Sequence, residues 1–143
     1  MTKASYLLVL IASIAVIACG KSESRDAYLN ISTITVAPFT GEGVRRYSEE
    51  KRVKAVVAEI NASRSHGSQE FRGKVGACSK IIVLFRGETE VGRMSASTTP
   101  LTLIDLKGSM AHSGFYAELP PGSAPSLEAI LVEAPASPNC QAK

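Results

Sequence analysis

The stretch KIIVLFR, Lys80–Arg86, decides the fold: it is an unbroken apolar run with a cation at each end. A run of that length is short for a helix and suits a central strand shielded on both faces. Gly87-Glu88 follows. A two-residue turn with glycine first fits a type II′ hairpin, whose first central residue needs a positive φ. Thr89–Ser95 (TEVGRMS) is then the returning strand, with Val91 and Met94 as its apolar residues. Leu101–Leu106 (LTLIDL) reads as another strand, and Lys107-Gly108 turns it into Ser109–Glu118, where Phe115 and Tyr116 carry most of the bulk. Pro120-Pro121-Gly122 breaks the sheet. The both-faces character of Ile81–Phe85 implies cover on its second side, and the terminal helix or tail is the expected source.

Working outward from this run, the clearest element lies upstream. Ser48 is placed to cap a helix whose first turn holds Glu49 and Glu50, where the helix dipole favours negative charge. Val53, Val56, Val57 and Ile60 fall at i, i+3, i+4 and i+7, one apolar stripe, with Lys51, Arg52, Lys54 and Glu59 facing elsewhere. The helix should stop near Asn61–Ser63. Before it, LNISTITVA (Leu29–Ala37) alternates Ile34 and Val36 with Thr33 and Thr35, a half-buried strand ended by Pro38. Phe39–Gly43 is a loop. Arg64–Ala77 reads as a long polar connection of the kind that is often functional or mobile. Downstream, Ser126–Glu133 forms a short helix with Leu127, Ile130 and Leu131 on one side. The order is strand, helix, then four strands. It defines an α+β fold with one main helix on an antiparallel sheet and a short C-terminal helix, in a single domain over residues 29–143.

The first residues are of another kind. Lys3 precedes the apolar run Tyr6–Ala18, which ends at Cys19-Gly20. As a helix that run rises only about 20 Å, against about 30 Å for the hydrocarbon of a bilayer, so it suits a cleaved leader better than a span. Val16-Ile17-Ala18-Cys19 resembles the lipobox of bacterial lipoproteins, although the family more often has Leu where Val16 stands. The resemblance implies a signal peptide over residues 1–18 and lipid attachment at Cys19. It also implies a protein held to a membrane, facing the periplasm or exterior, and the polar, charged run Gly20–Ala27 makes residues 19–28 a lipidated start and tether. Cys19-Gly20-Lys21-Ser22-Glu23 is similar to the mature start of some efflux-pump adaptor lipoproteins. One sorting rule takes the missing Asp after the cysteine to mean the outer membrane; another takes Lys21-Ser22 to mean inner-membrane retention. Inner versus outer membrane therefore stays open.

With Cys19 assigned to lipid, Cys78 and Cys140 remain as a pair for a disulfide in an oxidising compartment. The bridge would staple the segment after Pro135-Ala136-Ser137-Pro138 to the domain, and two free thiols are the alternative. The net charge of +3 is small for a chain of 143 residues and argues against nucleic acid as a partner. The cations nevertheless concentrate between Arg45 and Lys80. Arg64, Arg72 and Lys74, on or beside the polar connection, are the candidate surface for an envelope protein or wall component.

Catalytic signals are weak. His66 and His112 lie far apart, no Cys-x-x-Cys or His-x₃-His spacing occurs, and no metal or cofactor is expected. Asp105, His112 and Ser113 have the residue types of a hydrolase triad without the nucleophile elbow that would aim the serine. Glu88 and Glu90 sit on one strand face at a hairpin tip, where a carboxylate pair is ordinarily solvated. The expected function is a non-catalytic, membrane-anchored binding or accessory module of the cell envelope. The alternative comes from topology: strand, helix, four strands looks like the cystatin architecture, which implies an inhibitor of a protease or other hydrolase. The cystatin first hairpin carries Gln-x-Val-x-Gly; the nearest text here, Thr89-Glu90-Val91-Gly92, departs from it.

Overall fold

The computed structural model describes residues 27–66, 69–71, 75–106 and 114–140. The signal-peptide reading of residues 1–18, the lipid site Cys19, the cations Arg72 and Lys74, the Lys107-Gly108 turn, and His112 and Ser113 lie outside the described residues.

The fold is α+β. The elements are β1 (Thr33–Pro38), β2 (Arg45–Tyr47), α1 (Glu50–His66), β3 (Gln69–Phe71), β4 (Lys80–Arg86), β5 (Thr89–Thr98), β6 (Leu101–Asp105), β7 (Gly114–Glu118) and α2 (Pro125–Glu133), followed by a 3₁₀ turn at Pro138–Cys140. Seven strands form one sheet in the order β2-β1-β4-β5-β6-β7-β3, and every pairing is antiparallel. Within it β1, β4, β5, β6 and β7 are the five expected strands in the expected neighbourhood. Two short strands were not expected: β2 extends the β1 edge, and β3 pairs with β7 at the other. Each is three residues long, too short for an alternating pattern to register. The connection read as loop over Arg64–Ala77 is thus partly regular, since α1 runs on to His66 and β3 follows.

The core is built as the periodicities require. On one sheet face Ile34 and Val36 of β1 meet Leu84 and Ile82 of β4 across the ladder, and Ile82 meets Met94 of β5. These side chains are fully buried, together with Val53, Val56 and Ile60 of α1 and Leu127, Ile130 and Leu131 of α2. Both helices therefore lie on the same face. This corrects the expectation that the terminal helix or tail covers the second face of β4. Antiparallel pairing of the helices follows from their contacts: Arg52 near the start of α1 reaches Glu133 at the end of α2, while Glu59 reaches Ser126 and Leu127 at its start. On the opposite face Val83, Ser95 and Ile104 are also buried.

The β4–β5 turn is as expected. Gly87 has φ 62, Glu88 has no positive φ, and Arg86 pairs with Thr89. The start of α1 differs by one residue: the carbonyl of Glu49, not of Ser48, accepts the first helical bond, from Val53 N–H at 2.9 Å. No helix among the described residues is long and apolar enough to cross a membrane.

Candidate functional site

The chain enters the fold at Tyr28, and a cluster of side chains fixes it there. Tyr28 N–H donates to Asn61 Oδ1 at 2.9 Å, and Asn61 Nδ2 donates back to the Tyr28 carbonyl at 3.0 Å. The ring lies under Arg64, whose Cζ is 4.2 Å from the ring centroid, a cation–π distance. It also lies over Gly92 of β5, where a Cβ would fall 2.5 Å from Tyr28 Cε1. Arg64 Nε completes the cluster by donating to Asp105 Oδ2 at 3.2 Å, the two side chains being 12% and 13% exposed.

This geometry places the expected partner-surface cation. Arg64 points inward and is engaged with a tyrosine and a carboxylate. Asp105 pairs with Met94, whose side chain faces the helices, so it shares that face and meets Arg64.

From Tyr28 the backbone runs over the tip of the β4–β5 hairpin. Ser32 N–H donates to the Phe85 carbonyl at 2.9 Å, Gly87 N–H donates to Ser32 Oγ at 2.9 Å, and Arg86 donates from Nε and Nη2 to the Leu29 carbonyl at 3.2 and 2.7 Å. Asn30 between them has φ 56, a left-handed conformation that asparagine tolerates. Leu29 is left 62% exposed. Beside this tip the carboxylate of Glu90 receives both Nε and Nη2 of Arg93 at 2.8 and 2.9 Å. That hydrogen bonding holds its carboxyl below the usual range, the opposite of what a general acid needs.

The other end of the molecule is organised around α2 and the disulfide. Cys78 and Cys140 are joined, with Cα atoms 5.4 Å apart, so the cysteine pairing read from the sequence is present. Ser137 Oγ donates to the Thr40 carbonyl, and Thr40 Oγ1 donates to Ser137 Oγ at 3.0 Å. The α2 N-terminus has no side-chain cap of its own at Ala124. Its amides instead donate to the carboxylate of Glu59 in α1, Ser126 N–H at 3.0 Å and Leu127 N–H at 2.7 Å. At the C-terminus Lys80 Nζ of β4 donates to the carbonyls of Leu131 and Ala134, the second at 2.8 Å. Burial lowers the pKa of this ammonium. Arg52 donates to Glu133 Oε1 at 2.5 Å, which holds that carboxyl low and raises the arginine. The Arg52 guanidinium also stacks on Tyr47, whose hydroxyl donates to the Ile130 carbonyl. Phe39, Val44 and Val132 are the large apolar side chains left exposed in this half.

Among the described residues no three His, Cys, Asp or Glu side chains are grouped as metal ligands would be. Sequence reasoning missed Tyr28, Leu29 and Arg86. The only signal available was Gly92 in mid-strand, which marks a close approach by another group. The sequence matches no protein-family model, no curated protein and no solved structure.

Proposed function

We propose that this chain is a cell-envelope lipoprotein, held to a membrane by lipid on Cys19, whose α+β domain acts as a non-catalytic binding or accessory module. The observation that carries the reading is the Cys78–Cys140 disulfide. Disulfides persist in oxidising compartments outside the cytosol, and this one leaves Cys19 as the remaining cysteine of three, directly after a lipobox-like run. The pairing of the domain's charges within the fold supports the non-catalytic part of the reading. Arg64, Glu90, Glu59 and Glu133 each satisfy a partner within the fold. The test is processing: globomycin should accumulate the uncleaved precursor, and Cys19→Ser should abolish incorporation of labelled palmitate and release the domain from membranes. A protein that stays on membranes without acyl chains on Cys19 would refute the reading.

A second reading is favoured by topology. The sheet order β1-β4-β5-β6-β7 with α1 across it is the order implied by the cystatin resemblance. Against it, Val91 and Gly92 lie within β5, and Gly92 is packed under Tyr28, so neither stands at the hairpin tip formed by Gly87-Glu88. Incubation of the purified domain with papain-type proteases and wall-lytic hydrolases separates the readings. The leading one expects no inhibition at any ratio, and stoichiometric inhibition would replace it with the second.

A further inference from the structure

We propose that Leu29 and the tip of the β4–β5 hairpin form a membrane foot: the Leu29 side chain reaches the boundary between headgroups and acyl chains, and the Arg86 guanidinium rests among the headgroups, of the bilayer that holds the N-terminal lipid. The inference rests on the lipid reading of Cys19 and adds to it a particular face and an orientation.

Three observations carry it. Leu29 is exposed because the backbone holds it out. Tyr28 before it is clamped to Asn61, Asn30 after it takes a left-handed turn, and its own carbonyl is gripped by two donors of Arg86. A leucine fixed in this way can neither fold back onto the core nor be lost in a mobile end. Second, the covalent leash is short. The chain between Cys19 and Tyr28, even fully extended, spans about 30 Å, so this end stays within that distance of the lipid. The end with Phe39, Val132 and the disulfide lies ~20 Å from this one, along the six-residue ladder that pairs β1 with β4. Third, the chemistry suits an interface. A branched alkyl group sits beside a guanidinium that spends Nε and Nη2 on the Leu29 carbonyl and keeps the Nη1 amine for a phosphate oxygen. Glu88 stands at the same turn, and Glu90 is neutralised by Arg93. The foot therefore has no excess of positive charge, and insertion of Leu29 should occur on zwitterionic as well as anionic lipid.

The chain has no tryptophan, which makes a direct experiment simple. Leu29→Trp and Val132→Trp replace apolar residues that are 62% and 75% exposed, so each should fold with the circular dichroism of the parent. The lipidated full chain is reconstituted in phosphatidylcholine vesicles brominated in the acyl chains. The expected result is blue-shifted emission from the Leu29→Trp variant, quenched several-fold more than that of the Val132→Trp variant. Equal quenching, or stronger quenching of the Val132→Trp variant, overturns the foot. Flotation and the mass of the N-terminal peptide are read on the same sample. An unacylated Cys19 rejects the lipoprotein reading and the foot with it, whereas flotation of an acylated chain without preferential quenching at position 29 rejects the foot alone.

Discussion

Gly92 shows how much one missing side chain can organise. Gly92 itself has no positive φ, so alanine is acceptable to the backbone there; what a Cβ would meet is the Tyr28 ring at 2.5 Å. Gly92→Ala should therefore displace the ring and not the sheet, costing about 1 kcal/mol while making the backbone around Tyr28–Ile31 exchange hydrogen faster than in the parent. A loss confined to the sheet, with the N-terminal segment still protected, would contradict this account. Asp105→Ala should cost more, about 2–3 kcal/mol by denaturant unfolding, because it removes the carboxylate paired with a nearly buried guanidinium. Ser95 should behave in the reverse sense. It is 1% exposed between Ile81 and Ile104, and its hydroxyl has no hydrogen-bond partner among the described residues. Removing an unsatisfied buried hydroxyl regains its desolvation cost, so Ser95→Ala is expected to leave stability unchanged or raise it by about 1 kcal/mol in the same measurement.

At the scale of elements, α2 is the informative case. Nine residues are too few for a helix to persist alone in water, and this one has no capping side chain before it and no basic residue in its last turn. Its polar ends are closed by other elements, Glu59 of α1 at the start and Lys80 of β4 at the finish. The negative group sits at the positive end of the dipole and the positive group at the negative end. Glu59→Gln keeps the shape and loses the charge, and should cost about 1 kcal/mol, with the loss reported by amides of α2 before those of α1. Arg52 and Glu133 make a pH-sensitive brace at the same finish. Arginine hydrogen bonding holds the Glu133 carboxyl below its ordinary value, so its folded-state pKa lies below its unfolded one. The resulting stability is present above the ordinary carboxylate range and is lost as pH falls through the lowered value. The melting temperature of Glu133→Gln should accordingly fall less steeply on acidification than that of the parent. None of this cross-element capping could be read in the sequence, since Glu59 and Lys80 lie 67 and 51 residues from the groups they cap. The α2 stripe of Leu127, Ile130 and Leu131 could be read, because its spacing is local.

Over the whole molecule, what was legible follows the same division. Elements with a period or a turn signature, namely the Val53–Ile60 stripe, the KIIVLFR strand and the Gly87 hairpin, stand where the pattern put them. The three-residue edge strands and the engagement of Arg64 with Tyr28 and Asp105 depend on tertiary contacts, which no local pattern announces. Cysteine arithmetic reached across the full chain because it counts residues and does not depend on local pattern. The bridge it found spans a sequence separation of 62, and closing a loop of that size restricts the unfolded chain by about 4 kcal/mol. The native contacts beside it are modest: Ser137 and Thr40 share hydroxyl bonds, and Pro135 packs against Gly43. Reduction, or the Cys78→Ser/Cys140→Ser double variant, should therefore move the urea midpoint well downward while the folded far-ultraviolet spectrum stays the same. The loss should be felt through the unfolded state, with hydrogen exchange in the native state rising first at residues 135–140 and leaving β4 and α1 protected. A fall in stability accompanied by general loss of protection across the sheet would mean that the bridge shapes the native fold itself, and would move its role from the unfolded chain to the core.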